Sequence, residues 1–291
     1  MRIEPFFDPE TFTLTYLVID DKSLDAVIID PVLDFDPSSG NIDDHSLQKI
    51  LSYIKGHDLN VKAILETHAH ADHLSSSQIL KQLFPTAIIG IGEKIKIVQE
   101  VFKKHLNLTD FKSDGSQFDY LFKNFEEVQF GSMKMKAIPT PGHTPACMSY
   151  QFGDAVFVGD SLFLPDYGTG RCDFPHGSAR DLYQSITNNL YSLPDETHVY
   201  VGHDYSPGGR EMRFHTTIGE SKLRNIQLSS TTSESQYIAF REARDKTLKA
   251  PRLLFPSIEV NINAGKLPSK EDNGRSYLKL PLTIKLQSGS L

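Results

Sequence analysis

The chain has 291 residues, 39% of them hydrophobic, enough for one large core or two of ordinary size. Its net charge of −7 and lack of any long Lys/Arg run argue against a polyanion such as nucleic acid as partner. Only Cys147 and Cys172 are present, so a disulfide-stapled secreted scaffold is not expected. No apolar run reaches the ~18 residues of a membrane helix, and Glu4, Asp8 and Glu10 interrupt any leader-like start, so cytoplasmic localisation and no membrane association are expected.

In chain order, Phe12, Leu14, Tyr16 and Val18 alternate on one face, and a polar turn at residues 20–23 leads into the apolar strand 26–29, which ends at Asp30 beside a histidine-rich turn to come. Residues 34–44 read as a Pro/Ser/Gly/Asp loop of functional length. Leu47, Ile50, Leu51 and Ile54 have helical spacing, and Lys55-Gly56 supplies a stop. The strand 61–65 then runs into Thr67-His68-Ala69-His70-Ala71-Asp72-His73, with a helix to Phe84 after it, so the polar groups fall on a strand-to-helix turn. A strand at 87–90 and a helix on Ile95, Val98, Val101 and Phe102 follow, and 103–124 shows no period and reads as a loop.

The second half opens with a hairpin at 127–138. Prolines 139, 141 and 145 fix the backbone around Gly142-His143 and aim that histidine. A second hairpin, 147–158, ends in Gly159-Asp160-Ser161; a helix spans 178–190; a strand at 197–201 ends in Gly202-His203-Asp204-Tyr205. Beyond residue 216 a helix is expected at 234–247, a proline breaker at 251–256, and weak alternation over 258–285. Two strand-rich halves with helices after each predict two packed sheets with helices outside.

Imidazole and carboxylate groups at strand ends suit Zn²⁺, Fe²⁺ or Mn²⁺. The candidate ligands are His68, His70, Asp72, His73, His143, Asp160 and His203. A lone Gly-His or Gly-Asp is usually a loop residue, whereas the 68–73 cluster is metal-ligand spacing.

The T-H-x-H-x-D-H turn, P-G-H-T-P, G-D-S-L-F and G-H-D-Y, in this order, resemble the metallo-β-lactamase superfamily. That resemblance implies an α/β fold, a four-layer αββα sandwich with the metal site at one edge, with residues 1–228 as catalytic domain and 229–291 as a C-terminal extension packed on it. Residues 159–163 and Gly170-Arg171-Cys172-Asp173-Phe174 are similar to persulfide dioxygenases and related bacterial β-lactamase-like hydrolases, and depart from glyoxalase II, which has paired phenylalanines and a glutamate after the arginine.

The resemblance implies one Fe²⁺ held by His68, His143 and Asp160, two histidines and one carboxylate with open positions, and a reaction of glutathione persulfide or a similar thiol persulfide with O₂. His70, Asp72, His73 and His203 would then orient ligands or substrate. It also implies substrate contacts from Tyr205, from Lys222 toward carboxylates, and from Arg171, although an Arg171–Asp173 ion pair is an equally ordinary reading. Because all seven positions of a two-metal site are retained, a dizinc hydrolase of thioesters or lactams stays open, with His68, His70 and His143 on one ion, Asp72, His73 and His203 on the other, and Asp160 bridging. A homodimer is expected from relatives. Cys172 reads as a small buried residue before it reads as a redox thiol.

Overall fold

The computed structural model describes residues 1–284. The first half runs β1 (Arg2–Asp8), β2 (Thr13–Ile19), β3 (Asp25–Ile29), β4 (Val32–Asp36), β5 (Asn41–Asp43), α1 (His45–Gly56), β6 (Asn60–Leu65), β7 (Leu74–Ser75), α2 (Ser77–Leu83), β8 (Ile88–Gly92), α3 (Ile95–His105) and β9 (Tyr120–Phe122). The second runs β10 (Glu127–Phe130), β11 (Met133–Pro139), β12 (Met148–Phe152), β13 (Ala155–Phe157), α4 (Ala179–Gln184) with a π-helical turn Ser185–Leu190, β14 (His198–Tyr200), β15 (His215–Thr217), α5 (Ile218–Arg224), α6 (Glu234–Asp245) and α7 (Leu254–Asn261).

One six-stranded sheet has the order β1-β2-β3-β6-β8-β9 and the other β10-β11-β12-β13-β14-β15. Strand alternation sorts the core. On β2, Leu14, Tyr16 and Val18 face the core between the sheets with Met135, Ala137 and Tyr150, while Leu17 and Ile19 join Leu47, Ile50, Ile95 and Val98 under α1 and α3. Leu182, Ile186 and Leu190, along α4 and its π turn, join the same core cluster as the second sheet. Mixed sheets flanked by helices are the sandwich that the motifs implied. No helix among the described residues is long and apolar enough to cross a membrane.

Four sequence expectations change. Residues 34–44 are not an open loop: β4 and β5 form a hairpin there, β4 also pairs with β7, and Asp34 accepts from Ser46 N and Oγ, both at 2.8 Å, to fix the start of α1. β1, unforeseen because its residues do not alternate, pairs along β2, and β9 emerges from the 103–124 stretch as a short edge strand. The proline breaker at 251–256 contains the start of α7; Pro256 sits in its first turn, where a missing N–H costs no helical bond. Of the weak alternation expected over 258–285, residues 258–284 are instead the end of α7 and irregular chain, and residues 285–291 lie outside the described residues.

Candidate metal centre

The candidate ligands stand at strand ends on one rim of the sandwich. β6 delivers the histidine turn, β11 leads to His143, β13 to Asp160 and β14 to His203. Close packing fixes the Asp160 loop: a Cβ on Gly170 would lie 1.9 Å from the Asp160 carbonyl oxygen, and one on Gly202 would lie 2.9 Å from Asp160 Oδ1.

His68, His143 and Asp160 bring one donor atom each within 4.8 Å of one another. Asp160 Oδ2 is 3.6 Å from His143 Nε2 and 4.0 Å from His68 Nε2. Both imidazoles have Nδ1 engaged, His68 with Thr67 Oγ1 at 3.0 Å and His143 with the Arg171 carbonyl at 2.7 Å. Thr67 Oγ1 itself donates to Asp30 Oδ2 at 2.8 Å, so its lone pair receives the His68 Nδ1–H, and each ring turns the Nε2 lone pair toward Asp160. Burial, then the charge of His70, pushes His68 well below the usual imidazole range and keeps it neutral. Burial would raise Asp160, but His203, His68 and His143 hold its carboxyl well below the usual range.

His203 lies on the other side of the same carboxylate, Nε2 3.2 Å from Asp160 Oδ1 and 3.3 Å from Asp72 Oδ2. Burial lowers its pKa, but Asp160 and Asp72 outweigh that and lift it to about 9. His70, Asp72 and His73 form a second set within 4.8 Å. His73 turns Nδ1 to the Leu74 carbonyl at 3.0 Å. His70 turns its Nε2 toward Asp30 Oδ1 at 3.0 Å and Glu66 Oε2 at 3.5 Å, and its Nδ1 is buried without a hydrogen-bond partner among the described residues. Among the described residues, Nε2 of His68, His73 and His203 and Oδ1 of Asp160 are buried without a hydrogen-bond partner. Imidazole nitrogens converging on an ionised carboxylate are the donor set of a divalent transition metal, whose binding displaces any proton they carry, so the residues fit one.

A cavity of about 340 Å³ opens onto His143, Asp160 and Asp72. Tyr205 lines it, stacked on Tyr167 at 4.6 Å and near Phe12 and Phe163. Burial, then Asp160 and Asp72, pushes the Tyr205 phenol well above its usual range, so it stays a donor. Arg171 also lines the cavity, but its guanidinium forks onto both Asp173 oxygens at 2.6 Å and onto the Lys249 carbonyl at 2.8 Å. Lys222, expected at substrate carboxylates, does not line the cavity. It pairs with Asp195 at 2.6 Å, beside the start of β14, whereas His203 follows that strand's end. Arg241, Arg244 and Arg252 are the basic residues at the cavity besides Arg171. Burial pushes the Cys147 thiol up to about 12 and Cys172 further still, so neither is a thiolate.

Several site-forming residues carried no motif. Asn261 of α7 donates to the carbonyls of His70 at 2.9 Å and His73 at 2.8 Å and accepts from Ser75 N at 2.8 Å, pinning the histidine turn from 191 residues away. Arg241 bonds the Thr169 carbonyl and pairs with Asp245, which takes Cys172 N at 2.8 Å, so α6 holds the 169–173 loop. Asp30 and Glu66 flank His70; Glu66 was visible only as a carboxylate next to the turn.

A family model described as the metallo-beta-lactamase superfamily matches residues 8–203. The chain is 48% identical over 288 residues to "Glyoxylase B2" of Dictyostelium discoideum, covering 98% of each. It is 29% identical to the mitochondrial "Persulfide dioxygenase ETHE1" of Bos taurus, covering 90% of this chain and 88% of that one. The crystal structure of ETHE1 from Myxococcus xanthus superposes with a TM-score of 0.74 at 31% identity, over 91% of this chain and 100% of that one.

Proposed function

The chain belongs to the metallo-β-lactamase superfamily, whose members are typically metal-dependent enzymes, and on that premise we propose that it is a non-haem iron persulfide dioxygenase. The observation that carries this reading is the donor arrangement: His68, His143 and Asp160 group together as two histidines and one carboxylate, while His70 groups with Asp72 and His73. The similarity to the persulfide dioxygenase of Bos taurus and to ETHE1 from Myxococcus xanthus supports it.

In the proposed reaction glutathione persulfide, O₂ and water give glutathione, sulfite and two protons, the sulfane sulfur losing the four electrons that O₂ takes up. His68, His143 and Asp160 would hold ferrous iron, which would supply the electron transfer to oxygen that side chains cannot. The chain's own groups do the rest. Asp160 brings a negative charge that balances the ion, and the Nδ1 bonds of His68 and His143 fix which nitrogen is presented. The aromatic wall of Phe12, Phe163, Tyr167 and Tyr205 excludes water from one side of the cavity, and the protonated Tyr205 phenol donates a hydrogen bond to the persulfide. Arg244 and Arg252, exposed at the rim, attract the carboxylates of a glutathione-sized thiol.

A dizinc thioester hydrolase is the second reading. It is favoured by Asp160 Oδ1 standing 3.2 Å from His203, as a bridging carboxylate would, and by the name of the Dictyostelium relative. One preparation separates the two: quantify iron and zinc, follow O₂ uptake with glutathione persulfide, and follow hydrolysis of S-lactoylglutathione. One iron with persulfide-dependent O₂ uptake is expected. Two zincs with thioester cleavage and no O₂ uptake would overturn the dioxygenase.

A further inference from the structure

The charges around the cavity that opens onto His143 and Asp160 sort into those paired within the protein and those left over. Asp72 and Asp160 face His203, Arg171 is held by Asp173, and Arg241, 2% exposed, by Asp245. Glu10, Arg244 and Arg252 also line the cavity; all three are exposed, and none makes an ion pair among the described residues. Two cations and one anion are thus left at the mouth. Glu10 and Arg252 also border a second cavity, of about 400 Å³, where Asp8, Asp34, Asp36 and Asp43 join Glu10 against Lys49 and Arg252. Its field repels an anion and attracts a cation. The backbone under these charges is fixed. Asp8 accepts from Glu10 N at 3.2 Å, Thr11 N at 3.1 Å and Thr11 Oγ1 at 2.5 Å, and the carbonyl of Phe12, a residue at φ 59°, accepts from Asp204 N and His203 Nδ1, both at 3.2 Å. Leu253, 2% exposed at the start of α7, anchors the chain next to Arg252.

We propose that Glu10 determines which thiol is accepted: its carboxylate binds the α-ammonium at the γ-glutamyl end of the substrate, while Arg252, which borders the same two cavities, takes the α-carboxylate on the same carbon and Arg244 the glycine carboxylate. The proposal rests on the persulfide dioxygenase reading and narrows its substrate to thiols that end in a free α-amino acid remote from the sulfur. Glutathione carries two carboxylates and one ammonium, the complement of two arginines and one glutamate. Coenzyme A carries phosphates and no ammonium, so it leaves Glu10 without a counter-charge and adds negative charge beside it.

The test uses the full chain loaded with iron, its metal content counted, and compares glutathione persulfide with N-acetylglutathione persulfide, which keeps both carboxylates and lacks the ammonium. O₂ uptake gives KM and kcat for each. In wild type the acetylated substrate is expected to raise KM about fivefold with kcat unchanged, the upper range for an exposed charge pair, and the difference is expected to shrink at about 0.5 M salt. Glu10→Gln is expected to raise KM about fivefold for glutathione persulfide and to leave it unchanged for the acetylated one, so that the two substrates become equal. Calorimetric binding of S-methylglutathione and of its N-acetyl derivative makes the same comparison without turnover. Equal KM values in wild type, or a difference that survives Glu10→Gln, would overturn the role of Glu10 and leave the dioxygenase standing. If no O₂ is taken up, the dioxygenase reading falls and calorimetry decides Glu10: affinities that differ in wild type and converge in Glu10→Gln support it, and any other pattern overturns it.

Discussion

At the scale of single residues, the centre depends on which atom each histidine presents. Thr67 and the Arg171 carbonyl occupy the Nδ1 atoms of His68 and His143, so Thr67→Val, which keeps the shape and removes the acceptor, is expected to weaken metal binding by about 10–100-fold without unfolding the protein. Metal titration beside a thermal melt checks both halves of that statement. Gly170 is constrained by distance alone: Gly170→Ala forces the Asp160 carbonyl to move and is expected to cost about 1–3 kcal/mol in a denaturant titration, together with loss of metal. The cysteines lead to a pH statement. Burial raises both thiols, leaving almost no thiolate, so iodoacetamide is expected to label neither Cys147 nor Cys172 in the native protein between pH 7 and about 9, where an ordinary thiol near 8.5 reacts freely. Rapid labelling at pH 8 without denaturant would contradict it.

At the scale of elements, strands aim the donors and two late helices hold the loops that carry them. Asn261→Ala removes the donors of two buried carbonyls and the acceptor of Ser75 N, so a loss of about 3 kcal/mol or more is expected, each of the three unmet buried groups costing about 1–3 kcal/mol. A urea titration measures the loss, and weaker metal binding should accompany it because the histidine turn is what loosens. The seven candidate donors were legible beforehand because metal chemistry restricts donor types and strand ends restrict their place, whereas the choice of His68, His143 and Asp160 among them came from the family resemblance. Asn261 was not, since an asparagine that reaches backbone carbonyls needs no pattern around it. Lys222 was misplaced for a related reason: a position matched approximately to relatives does not say at which end of a strand a side chain lands. The hairpin of β4 and β5 escaped notice because β5 is exposed and polar, with no buried face to impose alternation.

At the scale of the whole molecule, the sandwich itself was readable from alternation, since Leu14, Tyr16 and Val18 on one face and Leu17 and Ile19 on the other demand a layer on each side. Because the ligands come from both halves of the chain, binding a metal ties the two sheets together. Chelation is therefore expected to lower the melting temperature, by the equivalent of about 2.7 kcal/mol when free metal had stood at a hundred times its dissociation constant. Differential scanning calorimetry would show it, and Asp160→Ala, lacking the shared carboxylate, should melt at one temperature with or without chelator.

The bond from Asn261 to the histidine turn also bears on the order of events during synthesis. A ribosome that has released the chain through His203 has delivered every candidate ligand, yet the residue that sets the carbonyls of His70 and His73 is still to be translated. The turn reaches its final shape only after residue 261 has emerged, so loading of the centre belongs to the finished chain and not to the nascent one.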